Sequence, residues 1–576
     1  MAVIQAAFHH RSASGSYHLT QYTTALEKNQ AQADRQLSNH QGFAHQLRRL
    51  LVPEAESWES ADDVVLHWGD PARHLSPEAL VKANLSGCAR AVFGRSWIHY
   101  HRPTHHLTLA VDTLGLFPIL IAQRAFHTYI ATDALALSQL LGEQAHADDD
   151  ALLELLAYGQ LLGERSTLAA CQHLHAATVY QIDASGNYQI AHAAPFYLPQ
   201  ENYSEQEALD ALVAAVDLEF KRDPDALIPI GGDLESRLLL AAAYANGHRP
   251  RLLSYGTKTT PWLPQVNEIA DWMGTELYTG YLDEHQFASA QISTAQLGGG
   301  EVPLNHHHAL ISAELVARTR GATLVNSIGA EIFCGMYYER GMPGASLPGL
   351  GTLSGFRNNR LRAAQRYAME TFNATLDPFL RAVPALEERF RQRLQLRLEV
   401  YQAQALSASQ FIDAVYLGER IRRFNVAGQQ LLARDYGRAH PFLDEMVLTT
   451  LAGLPLSKRL GGRFYRYALQ RLNPTLAKMP VSPEHASLWC NLPPSGWSSW
   501  HSSPQSNTET PTQNMAYLRL QTALLHTGLS EAESQSGAQN LLRQSGHTQT
   551  AHYAGVLDAF VLWHLYLGQQ HAACAA

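Results

Sequence analysis

Residues Ile228 to Ala243 read IPIGGDLESRLLLAAA, and the fold turns on how this stretch is read. An apolar run stops at two glycines, passes through two acids and a serine, and resumes at helical spacing. A buried strand needs no acids, and an ordinary turn needs no serine beside an arginine. The order strand, glycine-rich turn, helix start makes a phosphate cradle, in which backbone N–H groups face the anion and the helix dipole adds favourable potential. Gly231, Gly232 and Ser236 are then the expected donors. Asp233 and Glu235 would repel a bare phosphate, so they fit a nucleotide with Mg²⁺ between it and the acids. The structural alternative is a tight turn with an Asp cap, which needs no ligand.

Outward from this loop, helix and apolar strand alternate. A helix from Ser204 to Lys221 precedes the strand ALIPI. A helix from Ser236, the strand RLLSYG, a helix from Gln265 to Met273 and the strand ATLVNSIG follow. Such alternation predicts a parallel sheet covered by helices, with ligands beyond the carboxyl ends of the strands. The quoted loop occupies that position, and so does NSIGAEIF after Val325. Before Pro199 the pattern differs: WIHYH, HLTLAVD, FPILIAQ and TYIATD alternate in the β manner, divided by turn residues. Two domains follow, a β-rich α+β unit over 1–199 and a parallel-sheet unit over 200–576. Residues 361–434 read as almost wholly helical. The polar stretch 502–514 reads as a disordered loop, and a last helical region runs from Ala516 to about Gln570.

Composition narrows the function. The chain has 576 residues, too many for one core, with 46% hydrophobic and 16% charged side chains. Forty-three basic against 52 acidic residues give a net charge of −9, which argues against a nucleic-acid surface. No apolar run reaches membrane-spanning length, so a cytoplasmic location is the default expectation. Five scattered cysteines without a CxxC pair read as reduced thiols. Histidine is over-used, with 29 copies and clusters at His9-His10, His105-His106 and His306-His307-His308. None has HExxH spacing beside a carboxylate, so they read as solvated or hydrogen-bonded.

With these motifs in order, nearly the whole chain resembles the asparagine synthetase family and its relatives, the β-lactam synthetases and the cyclases that close lasso-peptide macrolactams. GGDLESR stands where that family has SGGxDS; Ser236 and Arg237 match, Glu235 falls on the Mg²⁺-binding Asp, and Gly231 and Asp233 replace the first Ser and the second Gly. VDTLGLFPILIA, through Asp112, Gly115 and Pro118, is similar to D-x-x-G-x-x-P-L-Y-Y, and YIATDALAL to F-A-S-E-x-x-A-L. LVNSIGAEIFCG is similar to G-x-G-A-D-E-x-F-x-G through Gly329, Glu331, Phe333 and Gly335. HPFLDEMVLTTLAGLP carries P-F-L-D at Pro441, Phe442 and Asp444. The departures are Ala330, on a Mg²⁺-sharing Asp, and Ser327, on the acid before it.

The resemblance implies a degenerate glutaminase-like domain followed by an ATP-pyrophosphatase synthetase domain with a helical C-terminal part. It implies ATP and Mg²⁺, with Ile230, Gly231, Gly232, Asp233, Leu234, Glu235, Ser236, Ser254 and Gly329 at the nucleotide. Glu235 and Glu331 would hold the metal, and Lys478, Glu331 and Arg237 would serve the chemistry. Lys458 and Arg463 are rivals to Lys478, and Asp444 has a purely structural reading as a helix cap. A working glutaminase of this family carries Cys at position 2; Ala2 stands there, so no ammonia is expected from glutamine.

The amine then comes from the substrate. The leading expectation is carboxylate adenylation with release of pyrophosphate, then lactam closure by an amine of the same molecule, with a lasso-type peptide cyclase as the preferred subtype. A precursor peptide and its processing protease would be the partners. The alternatives are an intermolecular or β-lactam synthetase-like amide ligase on a small amino-acid-derived substrate, and a catalytically inactive peptide-binding scaffold.

Overall fold

In the computed structural model, residues 55–69, 93–193, 203–334, 375–481 and 511–575 are described, with internal gaps. Parts of 76–82, residue 372 and the backbones of four short strands before residue 48 are also described. The protein is mixed α/β, with one parallel sheet and several antiparallel ones.

The N-terminal part is built on antiparallel pairing, as alternation there predicts. A six-stranded sheet runs in spatial order Tyr188–Ala193, Thr178–Ile182, His106–Ala110, Arg95–His101, Asp63–Gly69, Ala55–Glu59. A five-stranded sheet contains Leu120–Arg124 and His127–Ala131 and also takes in Gln5–His9, a strand the sequence reading did not anticipate. The segment VDTLGLFP joins the two sheets as a turn that Asp112 organises. Its buried carboxylate accepts the N–H of Leu114 at 3.1 Å and of Phe117 at 2.9 Å. Gly115 has φ +69, and a side chain there would strike Arg422. The Asp112 turn therefore serves architecture.

The parallel sheet has five strands: β1 (Leu227–Pro229), β2 (Arg251–Gly256), β3 (Leu277–Tyr281), β4 (Thr323–Val325) and β5 (Gly437–Ala439). Their spatial order is β3-β2-β1-β4-β5 and every pairing is parallel. The chain winds one way from β1 to β3 and then returns to the other side of β1. The reversal between β1 and β4 is the topological switch point at which such sheets open a crevice. β5 was missed in the sequence because GRA is not an apolar run, whereas the equally short β1 and β4 lie within ALIPI and ATLV.

Local chemistry sets the helices. Ser204 caps Glu205–Arg222 in a reciprocal capping box with Glu207, close to the predicted limits. Asp233 caps Leu234–Ala245, so this helix begins two residues before the expected Ser236. Leu238, Leu239, Leu240 and Ala241 to Ala243 are all buried, because the helix is covered on every side, with Glu205–Arg222 and Arg463–Leu472 among its neighbours. Each leucine buried this way contributes about 2 kcal/mol.

The segment predicted as helical, 361–434, is helical over Glu387–Gln402 and from Ala408 to Gln429, with a π-helical stretch at Tyr416–Asn425; much of 361–371 lies outside the described residues. The expected loop 502–514 needs correction at its end. A helix begins at Pro511, which is suited to the first turn because it has no N–H to leave unpaired, and continues to His526; 502–510 lie outside the described residues.

One buried apolar cluster joins both parts, running from Trp68 and Phe117 through Leu212, Leu238 and Phe390 to Phe560. Ion pairs reinforce the junction. Arg397 pairs with Glu419 and, at 3.1 Å, with Glu164; Arg393 reaches Asp150 at 3.0 Å and Glu154 at 3.1 Å. No helix among the described residues is long and apolar enough to cross a membrane.

Candidate active site

The two loops singled out in the sequence follow β1 and β4, so they flank the switch point. After β1, the Ile230 N–H still donates to Leu253 O on β2 at 2.8 Å, and the chain then leaves the sheet through Gly231 and Gly232. Neither glycine has positive φ. Gly231 is small for a different reason: a Cβ there would lie 2.9 Å from Asp233 Oδ2.

Two of the three expected donors of the cradle, Gly231 and Ser236, are already engaged. Asp233 Oδ1 accepts the Ser236 N–H and the Ser236 hydroxyl, each at 2.7 Å. The Gly231 N–H donates to Ser236 Oγ at 3.3 Å. Glu235 folds back on its own N–H and that of Leu234. Acid side chains thus occupy the start of the helix, where a phosphate would otherwise sit.

The loop after β4 repeats the arrangement. Glu331 begins the short helix Glu331–Cys334, and its carboxylate accepts the Gly329 N–H at 2.9 Å and an Asn425 side-chain N–H at 3.1 Å. Gly329 has φ +96, and a Cβ would press on Leu443 at 2.4 Å, so both conformation and space call for glycine. Ala330 is buried, and its carbonyl accepts the Tyr465 hydroxyl. Asn326 Oδ1 meets His440 Nδ1 at 2.7 Å and the Ile328 N–H at 3.1 Å, tying the end of β4 to the end of β5.

Electrostatics couples the two loops. Burial, with repulsion from Asp233 and Glu331, pushes the Glu235 carboxyl up to about 8. Burial also raises Glu331, opposed by its own N–H and that of Gly329, while Asp233 raises it further and Arg420 opposes. Three carboxylates from two adjacent strand ends therefore feel one another. A hard divalent cation would relieve that repulsion, and its preferred ligands are oxygens of this kind. Asp233, Glu235 and Glu331 do not bring three ligand oxygens within 4.8 Å of one another, as Asp63, His99 and His101 do among the described residues, and the phosphate side of the cradle opens only if Asp233 releases Ser236.

The remaining expected residues divide. Leu234 is buried beneath the loop. Ser254, on β2 next to β1, is buried with a hydroxyl that has no hydrogen-bond partner among the described residues. Arg237 is fully buried and its guanidinium is engaged by backbone carbonyls: Nη1 donates to Met479 O at 3.1 Å and Nη2 to Pro480 O at 2.6 Å. It anchors the segment after Pro474–Lys478 against the loop helix. Lys478, the residue before that anchor, is exposed. Its rival Lys458 pairs with Glu205 at 2.9 Å, and Arg463 donates to Ser457 O at 2.7 Å. Asp444 caps Glu445–Ala452, accepting the Met446 N–H at 2.8 Å. Phe333 and Gly335 lie outside the described side chains. Sequence reasoning missed Asn326, Asn425, His440 and Tyr465; Asn326, inside the quoted LVNSIG, and His440, which opens the quoted HPFLDEM, stood in motifs that could have flagged them.

No family model matches the chain, and no curated protein sequence matches it. Among solved structures, it is similar to an allosteric regulatory enzyme of purine biosynthesis at 11% identity, over 48% of this chain and 74% of that one, with a TM-score of 0.18. It is also similar to the glutamine phosphoribosylpyrophosphate (PRPP) amidotransferase from B. subtilis complexed with ADP and GMP. There the identity is 10%, over 48% of this chain and 59% of that one, with a TM-score of 0.17. At such scores the likeness carries no weight for fold or function.

Proposed function

We propose that the protein is an ATP-dependent amide-forming synthetase that adenylates a carboxylate at the switch point between β1 and β4. The observation that carries this reading is the placement of Glu235 and Glu331 beyond the ends of the adjacent strands β1 and β4, with both carboxyls raised by burial and by nearby acid charge. Half-buried acids whose carboxyls are raised by burial and by neighbouring acid charge are costly to fold and are found where a cation or a proton is handled. In this reading Glu235 and Glu331 hold Mg²⁺, which neutralises charge on the departing pyrophosphate. The Ser236 hydroxyl and loop N–H groups bind the phosphates once Asp233 turns aside, and the buried Ser254 hydroxyl meets the nucleoside. The substrate carboxylate attacks the α-phosphorus, pyrophosphate leaves, and an amine then displaces AMP to form the amide. Lys478 is the candidate cation for that second step, and lasso-type closure of a peptide macrolactam is the preferred subtype, with an intermolecular ligase as the variant. The cytoplasm is the expected compartment.

The test is AMP and pyrophosphate formation from ATP and Mg²⁺ with short precursor peptides encoded nearby that begin with Gly or Cys and carry an internal Asp or Glu. Precursor-dependent AMP that is lost in Glu235→Gln, with a product lighter by one water, supports the cyclase. AMP formation with a separate amine donor and no loss of water from the peptide alone supports the intermolecular ligase.

A second reading has its own observation. Because Asp233 already fills the donors of Ser236, the loop is self-satisfied without a nucleotide, as a peptide-binding scaffold on this fold would be. Absence of nucleotide binding to the full chain, by calorimetry with Mg²⁺ present, would favour it.

A further inference from the structure

The histidine clusters visible in the sequence are not where imidazoles converge. His105 meets the Tyr100 hydroxyl at 2.8 Å, and His306 packs edge-on against Phe424 with ring centres 4.7 Å apart. Convergence occurs instead on the six-stranded sheet. Strands Asp63–Gly69 and Arg95–His101 pair antiparallel with Asp63 opposite His101 and Val65 opposite His99. Residues two apart on a strand share a face, and directly opposed residues do as well. Asp63, His99 and His101 therefore point to the same side.

The distances agree. His99 Nε2 lies 2.7 Å and His101 Nδ1 2.8 Å from the same oxygen, Asp63 Oδ1. The three potential ligand atoms all lie within 4.8 Å of one another, and no other His, Cys, Asp or Glu trio among the described residues does so. His99 is buried, its side chain 1% exposed, whereas that of His101 is 20% exposed, which leaves a path from solvent. On the next strand, His106 stands directly opposite His101 and is exposed. The same face continues into a buried apolar cluster of Val65, Trp97, Ala110 and Val179.

We propose that Asp63, His99 and His101 form a binding site for a divalent transition-metal ion of the zinc class, with the fourth position taken by His106 or water. Two imidazole nitrogens and one carboxylate oxygen are the donor set such ions select over Mg²⁺ or Ca²⁺. Metal–ligand bonds of about 2.0–2.2 Å at tetrahedral angles place neighbouring ligand atoms about 3.3 Å apart. The present separations of 2.7 and 2.8 Å therefore need to open by only about half an ångström, given those bond lengths. The proton balance is simple: each imidazole moves its N–H to the ring nitrogen facing away from Asp63, and the ion takes the lone pairs so released. The site lies on a different sheet from the switch-point loops and would staple two neighbouring strands. HExxH spacing, sought in the sequence, belongs to a helix; on a strand the equivalent is H-x-H, here His99-Tyr100-His101, completed by an acid on the adjacent strand.

The test uses the full chain, stripped with chelator and titrated with Co²⁺ and then Zn²⁺. Because 29 histidines create background binding, wild type is compared with His101→Gln, Asp63→Asn and a control, His192→Gln, on a different strand. The expected result is one more Co²⁺ per chain in wild type and in His192→Gln than in His101→Gln, with a visible d–d absorption band that both site variants lack. Zn²⁺ should raise the melting temperature of wild type and leave that of His101→Gln unchanged. If wild type shows no d–d band and binds no more Co²⁺ than His101→Gln, the trio is a hydrogen-bonded strand pair and the proposal falls. The comparison of wild type and His192→Gln with His101→Gln decides this even if Asp63→Asn does not fold.

Discussion

Asp233 Oδ1 holds both the backbone N–H and the hydroxyl of Ser236 at 2.7 Å, so one side chain caps the helix and blocks the anion site that the helix start would otherwise offer. Asp233→Ala should therefore cost about 1 kcal/mol of stability through loss of the cap. It should also tighten pyrophosphate binding at least severalfold, because two donors are freed and one negative charge is removed. Calorimetric titration with pyrophosphate, beside thermal melts, reads both effects; unchanged affinity would show that anions do not bind at this loop.

Glu235 gives the protein a pH signature. Its folded-state value of about 8 lies above the 4.5 of an ordinary glutamate, so its contribution to stability is whole below about 4.5, declines as pH rises toward 8 and then levels off. Glu235→Gln should match wild type near pH 4 and exceed it by several kcal/mol, at most about 5, near pH 9. Mg²⁺ should raise the melting temperature of wild type at pH 8–9 and have no such effect on the variant. Parallel pH–stability curves for the two proteins would refute the coupling.

Arg237 is expected to matter for stability before activity. Its two hydrogen bonds to the carbonyls of Met479 and Pro480 are made by a buried cation, and truncation leaves both carbonyls and a cavity behind. Arg237→Ala should cost about 3 kcal/mol in urea denaturation. Arg237→Lys should recover little, since one ammonium cannot reproduce the guanidinium fork. Proteolysis within 474–481 should accelerate in both variants. Full stability in Arg237→Ala would return this residue to the list of catalytic candidates.

Glu164 tests the junction between the two parts. Burial alone would raise its carboxyl, but the His175 hydrogen bond and the charges of Arg397 and Arg422 outweigh burial and hold it well below the usual range. Its stabilisation is therefore present above the ordinary carboxylate value and is lost as pH falls. Glu164→Gln should cost about 3 kcal/mol at neutral pH by leaving buried arginine charge uncompensated, and the gap from wild type should narrow in acid. An unchanged melting curve at pH 7 would mean that Glu419 alone suffices for Arg397.

Local readings succeeded where the signal is short-range. The helix expected from Ser204 to Lys221 runs over Glu205–Arg222, and the helix after β1 starts within two residues of its predicted place. Such readings failed where the partner is distant. Nothing around Arg237 in the sequence indicates Met479 and Pro480, and nothing beside Glu331 indicates Asn425. The strands Gln5–His9 and Gly437–Ala439 take their identity from the sheets they join, because QAAFH and GRA carry neither a sustained apolar run nor an alternating pattern.

By itself, the sequence determined that helices and apolar strands alternate after residue 203, that a glycine-rich loop with acids follows one of those strands, and that antiparallel pairing dominates before it. These are properties of hydrophobic period and turn chemistry, which act over a few residues. Tertiary structure alone decided the strand order that brings the loops after β1 and β4 to one crevice. It also decided the repulsion that lifts Glu235, the occupation of the Ser236 donors by Asp233, and the meeting of Asp63 with His99 and His101. Each depends on groups that chain folding brings within a few ångströms across tens or hundreds of residues, where burial strengthens charge interactions that water would otherwise screen.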